Sequence, residues 1–185
     1  MLDKIIHETD DKMKKAVEFT RQELSKLRSG KATVAILDDI RIDYYGQKMP
    51  IAQTASISAP DAHLITIQPW DKSVLQEIEK AILAANIGLT PTNDGTIVRL
   101  PVPPLTEERR KELVKVAKKF AEEGKITVRN VRRDANEHLK KAEKDEHVSE
   151  DERKHGEGEV QKLTDKYIKQ LDDILSGKER EIMEV

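Results

Sequence analysis

Apolar positions along the chain follow three regimes. From Met1 to Arg28 they recur every three or four residues, at Leu2, Ile5 or Ile6, Met13, Ala16 or Val17, Thr20, Leu24 and Leu27. That spacing predicts an amphipathic helix, and Ser29-Gly30 is a stop signal for it. From Lys31 to Pro104 the period drops to two. Ile40 to Tyr44, Ala55 to Ala59, Leu64 to Ile67 and Ile97 to Leu100 alternate and are bounded by Gly, Pro, Asn or Asp, which predicts short strands. Asn93-Asp94-Gly95 is a turn signal. One short helix is expected from Ser73, with Ser73 and Gln76 as its capping box, Gly88 as its end, and Val74, Ile78, Ala81, Ile82 and Ala85 on its buried side.

The helical period returns from Leu105 to about Glu146, at Leu113, Ala117, Phe120, Gly124, Val128, Val131, Ala135 and Ala142, with His138 expected as a packed, hydrogen-bonded histidine in the remaining slot. Thr106 is the expected N-cap, with Glu107 and Glu108 in the first turn near the positive end of the helix dipole. Such a helix would run roughly 60 Å. A third helix is opened by the capping-box pattern Ser149-Glu150-Asp151-Glu152, and its seam runs Val160, Leu163, Tyr167, Leu171 and Ile174 to Ile182 and Met183. Gly156 and Gly158, poor helix formers, predict a frayed start.

Three helices drawn from both ends of the chain and sharing one period should pack as a bundle. The expected fold is therefore α+β and elongated: a discontinuous three-helix bundle of residues 1–29 and 105–185, enclosing a small α/β domain at 31–104. The chain crosses between the two at 29–31 and 101–105. A glycine on one crossing and prolines on the other restrict motion to rotation about a short axis, so Ser29-Gly30-Lys31 and Pro101 to Leu105, with Pro103 and Pro104, read as a hinge.

Charge changes the picture because it is sorted. The net charge of −2 hides ten Lys/Arg against five Glu between Leu105 and Arg133, and eight Lys/Arg against fourteen Asp/Glu between Glu143 and Val185. On the long helix Lys118, Lys125, Arg129 and Arg132 fall along one flank with Arg133 just beyond, in a run whose VRNVRRDAN segment carries three arginines. Guanidinium groups so arranged suit a phosphate backbone. The alternative is a protein adaptor whose charges serve solubility alone.

Catalysis and metal binding leave no comparable trace. The five histidines lack HExxH or paired spacing, there is no cysteine, and the carboxylates lie on helix faces open to water, so no catalytic residue, metal site or cofactor is expected. Phe19, Phe120 and Tyr167 fall on seams or their margins, and Tyr44, Tyr45 and Trp70 are assigned to the small core, so RNA would be read by backbone shape. The acidic N-terminus does not resemble a signal peptide and no run approaches a membrane span, which predicts a soluble, cytoplasmic monomer.

The blocks LRSGKATVAILDDIRIDYYG, QPWDKSVLQEIEKAI, NDGTIVRLPVPPLTEERRKELVK, VRNVRRDAN, SEDE and QKLTDKYI stand in order over nearly the whole chain, which thereby resembles the ribosome recycling factor family. The resemblance implies an L-shaped, non-enzymatic protein that binds the post-termination 70S ribosome through 23S rRNA of the 50S subunit. With elongation factor G and that partner's GTP hydrolysis it would separate the subunits and release mRNA and tRNA. It further implies rRNA contacts at Arg110, Arg129 and Arg132, although the rotation of 100° per residue puts Arg110 nearer the seam than the basic flank.

Overall fold

A computed structural model describes residues 1–145 and 147–184; the expected helix end at Glu146 lies outside these. The chain divides into two compact units, Met1–Ser29 with Glu107–Val185, and Gly30–Thr106.

The first unit is made of α1 (Leu2–Ser25), α3 (Glu107–Lys144) and α4 (Glu150–Met183). At 38 residues α3 is about 57 Å long. Its buried positions are Leu113, Ala117, Ala121, Gly124, Val128, Ala135, Leu139 and Ala142. Two sequence expectations shift by one residue. Ala121 takes the seam slot assigned to Phe120, which is only half-buried, and Leu139 takes the slot assigned to His138, which is exposed. The true stripe keeps closer to 3.6 residues per turn, so Ala121 and Leu139 face inward while Phe120 and His138 turn outward.

Polar residues fill seam positions by satisfying themselves. Thr9, Thr20 and Thr164 are buried, and each hydroxyl donates to the carbonyl four residues back, at 2.7, 3.0 and 2.8 Å. Tyr167 is buried in α4 and its hydroxyl donates to Asp10 of α1 at 2.6 Å; burial first and that carboxylate second push the phenol up to about 12. The Ser149 and Glu152 capping box at the start of α4 is formed as expected.

Two glycines set how closely the helices approach. A Cβ on Gly124 would strike Thr20 Oγ1 of α1 and lie 3.3 Å from Leu171 of α4; one on Gly156 would come within 2.6 Å of Leu2 and 3.0 Å of Leu139. The expectation of fraying at Gly156 is therefore corrected: it is buried at a three-helix contact. Gly158 has open space around it.

The second unit carries β1 (Arg41–Tyr44), β2 (Gln47–Pro50), β3 (Ala55–Asp61), β4 (Leu64–Pro69), α2 (Leu75–Ala84), β5 (Thr92–Asn93) and β6 (Val98–Pro101). β1 and β2 form a hairpin, and the others an antiparallel sheet in the order β3-β4-β6-β5. Ile42, Ile51, Ile65, Ile67, Ile78, Ile82, Val98 and Leu100 make its core. Asp71, not Ser73, caps the start of the short helical region by accepting from Ser73 N at 2.9 Å. On α2, Leu75 is buried and Ala85 exposed, and left-handed Asn86 follows its end ahead of Gly88. The expected turn at Asn93-Asp94-Gly95 is present: Asp94 accepts from Ile97 N, Arg99 and Thr96 N, which holds its carboxyl at about 2. Tyr45 and Trp70 are 80% and 70% exposed, which overturns their assignment to the core.

The glycine contacts yield a paired prediction. Gly124→Ala should destabilise the helical unit by about 1–3 kcal/mol through overpacking against Thr20, and adding Thr20→Ala should recover part of that loss. Gly158→Ala should instead stabilise by about 0.5–1 kcal/mol. Urea unfolding of the four proteins decides it; equal effects from both glycine substitutions would remove the close-approach argument.

Candidate nucleic-acid interface

The basic flank of α3 lies against α4, and the acids of α4 decide which cations keep their charge. At seven-residue steps down α3, Lys118 Nζ lies 3.6 Å from Glu179, Lys125 Nζ lies 2.5 Å from Asp172, and Arg132 Nη1 donates to Gln161 Oε1 at 3.4 Å. A regular antiparallel step from Asp172 would bring Asp165 to the third rung. There the Gln161 amide already donates to Asp165, at 2.9 Å. Arg132 is left with a neutral acceptor.

Arg133 has the same character: its Nη2 donates to the side-chain oxygen of Asn130 at 2.7 Å. Arg129 pairs with Glu122 at 3.1 Å across two turns of its own helix, with both side chains substantially exposed. Lys125 is different, because only 18% of its side chain is exposed. A half-buried pair of this kind holds α3 to α4, whereas an exposed pair like Arg129 with Glu122 contributes under about 1 kcal/mol and is readily exchanged for another anion.

Arg110 stands apart from this group. Its guanidinium donates to the carbonyl oxygens of Ile182, at 3.2 Å, and Glu184. It covers the carbonyl end of α4, where a cation also complements the helix dipole. The position nearer the seam that rotation gave it is explained by this contact. Arg129, Arg132 and Arg133 are thus brought together within about one turn, while Arg110 lies about 28 Å further along the axis from Arg129. What sequence reasoning missed is the role of Gln161, Asp172 and Glu179. Their spacing was visible, but the register of α4 against α3 was not.

The match to known proteins is extensive. A profile described as ribosome recycling factor matches residues 20–183. The chain belongs to the ribosome recycling factor family. The ribosome-recycling factors of Carboxydothermus hydrogenoformans and Symbiobacterium thermophilum are each 54% identical to it over 185 residues, covering all of both chains. Among solved structures, the solution structure of a ribosome recycling factor is 45% identical with a TM-score of 0.78, covering all of this chain and 98% of that one. A second, 42% identical with a TM-score of 0.63 and full coverage of both chains, shows the Thermus thermophilus ribosome recycling factor and Escherichia coli elongation factor G bound to the E. coli post-termination complex. Family membership makes this chain a translation factor of ribosome recycling, and not an enzyme. The α+β architecture of long helices and a four-stranded sheet agrees with these relatives. Among the described residues no helix is long and apolar enough to cross a membrane.

The division of the flank into anchoring and uncommitted cations is testable by stability alone. Lys125→Met should cost about 1 kcal/mol, because it leaves Asp172 without its partner. Arg132→Ala should stay within about 0.5 kcal/mol of the parent, since only a long hydrogen bond to Gln161 is lost. Chemical denaturation at one ionic strength distinguishes them, and a larger loss for Arg132→Ala would reverse the assignment.

Proposed function

We propose that the helical unit docks on 23S rRNA of the 50S subunit in the post-termination 70S ribosome through Arg129, Arg132 and Arg133, with Arg132 the principal contact. The observation that carries this reading is that Arg132 and Arg133 have neutral side-chain acceptors, Gln161 and Asn130, so their charge is not cancelled before RNA arrives. Arg129 joins them by exchanging an exposed ion pair for a phosphate. Lys118 and Lys125 reinforce the local potential while remaining tied to α4. Arg110 contributes at the far end of α3, where reaching RNA means releasing or sharing the carbonyls of Ile182 and Glu184.

Elongation factor G is the partner whose GTP hydrolysis drives subunit separation and release of mRNA and tRNA; the relative seen with that factor on a post-termination complex supports this assignment. The chain works in the cytoplasm as a monomer. Residues 29–31 and 101–105, the two chain crossings, form the hinge that lets the second unit move when elongation factor G pushes on it. Gly30 supports the hinge: its φ of +80° is a conformation that side chains rarely adopt, and an added Cβ would lie 2.8 Å from Leu105. Ser29 is buried, whereas Pro103 and Pro104 are exposed.

Binding to purified 50S subunits over a range of salt concentrations tests the docking. Arg132→Glu should weaken binding about tenfold or more and lower the salt slope by about 1, while Lys140→Glu, also on an exposed face of α3, should change it about twofold at most. Equal losses would favour the adaptor reading. The hinge has its own readout. Gly30→Pro should abolish splitting of post-termination ribosomes by this protein with elongation factor G and GTP while leaving 50S binding largely intact; proportional loss of both would remove a separate mechanical step.

A further inference from the structure

Of the six aromatic residues in the chain, Tyr45 and Trp70 of the second unit are 80% and 70% exposed, and Tyr45 is hydrogen-bonded to Asp71, the residue after Trp70. Tyr45 occupies the first position of the two-residue turn between β1 and β2, with φ of +50°, and Gly46 follows at +82°. Left-handed backbone at both positions is the geometry for which hairpins select Asn or Asp followed by Gly. A tyrosine there costs about 1 kcal/mol or more in backbone strain, and since its ring is 80% exposed no core packing offsets that cost.

The ring is held in place. Tyr44 meets it edge to face, with centroids 4.6 Å apart and planes at 80°. Its hydroxyl donates to Asp71 Oδ2 at 3.2 Å, while Asp71 Oδ1 accepts from Ser73 N at 2.9 Å. Those bonds, the backbone bond from Ser73 foremost, hold the Asp71 carboxyl below its usual range, so it is a carboxylate at neutral pH. Trp70, the residue before Asp71, has its main chain held by its backbone N–H donating to Thr54 O at 3.2 Å, and the residue is largely exposed.

We propose that Tyr45, Asp71 and Trp70 form a clamp for a cationic side chain, an arginine on a partner protein. A guanidinium lies flat on an aromatic face and donates in its own plane to a carboxylate, and this site offers both features side by side. A nucleobase would use the rings but gains nothing from the carboxylate, which repels the attached phosphate. Lys48 and Lys72 are matched there by Asp43, in cross-strand register with Lys48, and by Asp71, so the locus has no net positive potential. The proposal concerns the second unit alone and stands independently of the RNA contacts on α3.

Trp70 is the only tryptophan, so its fluorescence reports on the clamp in the full chain. The probes are acetyl-Gly-Gly-Arg-Gly-Gly-amide, the same peptide with uncharged citrulline in place of arginine, and a decauridylate. The arginine peptide should give a saturable change, weakened at least about fivefold for the citrulline peptide and for Asp71→Asn. Tyr45→Phe should bind within about twofold of the parent, and Arg132→Glu should leave the signal unchanged. Tyr45→Asn separates binding from folding, because it suits the turn better: it should unfold at the same or higher urea concentration and still lose the response. Equal responses to both peptides, no response, or a decauridylate response that Tyr45→Asn abolishes and Asp71→Asn keeps would each overturn the clamp, the last in favour of a nucleobase platform.

Discussion

The close approach of three helices at Gly124 is the constraint on which the helical unit depends. With Thr20 and Leu171 in contact with a position that has no side chain, α1, α3 and α4 can pass one another there only in one register. Large side chains could not build so narrow a seam, and the chain has few of them: aromatics are 3% of its residues. Alanine, glycine and threonine take their place. The threonines are tolerated because each hydroxyl is satisfied by the helix it belongs to, so burial costs no orphaned donor.

Register then becomes electrostatics. Once Leu171 is set against Gly124, Asp172 falls beside Lys125 and Glu179 beside Lys118. Those cations are spent on holding the bundle together. One rung further, Gln161 interposes its amide between Arg132 and Asp165, and an otherwise regular ladder of opposite charges ends with a guanidinium on a neutral oxygen. The face proposed to meet RNA is thus the place where the stabilising pattern stops. Sequence charge counts could not show this, because they weigh every cation on the flank alike.

Most of the fold was legible in the residues. Period alone located α1, α3, α4 and the strands β1, β3, β4 and β6, though not the short β2 and β5, and the capping pattern at Ser149 located a helix start. The failures have identifiable causes. Thr9, Thr164 and Ala121 escape the seam pattern because threonine reads as polar and alanine carries little hydrophobic weight beside Phe120. Ser73 completes a familiar capping pattern, yet Asp71 is better placed to bond the backbone of Ser73 itself. The chemistry of Tyr45 and Trp70 points to the core, although Tyr45-Gly46 carries the signal of a tight turn, where a side chain must point to solvent. Arg110 was visible as a cation and invisible as a cap on α4, since that contact spans 72 residues of sequence.

The strength of these contacts suits a protein that must leave the surface it binds. Exposed ion pairs such as Arg129 with Glu122 are worth under about 1 kcal/mol, so in the proposed docking their exchange for phosphates would be nearly balanced, and the favourable free energy would come from counterions released by RNA. Guanidiniums already paired to buried acids would bind too weakly. Guanidiniums with no partner at all would sample many rotamers and lose entropy on docking. Arg132 and Arg133, each resting on a neutral amide oxygen, sit between these limits: oriented beforehand, fully charged, and in the proposed docking released at the cost of one solvent-exposed hydrogen bond each, a long one for Arg132.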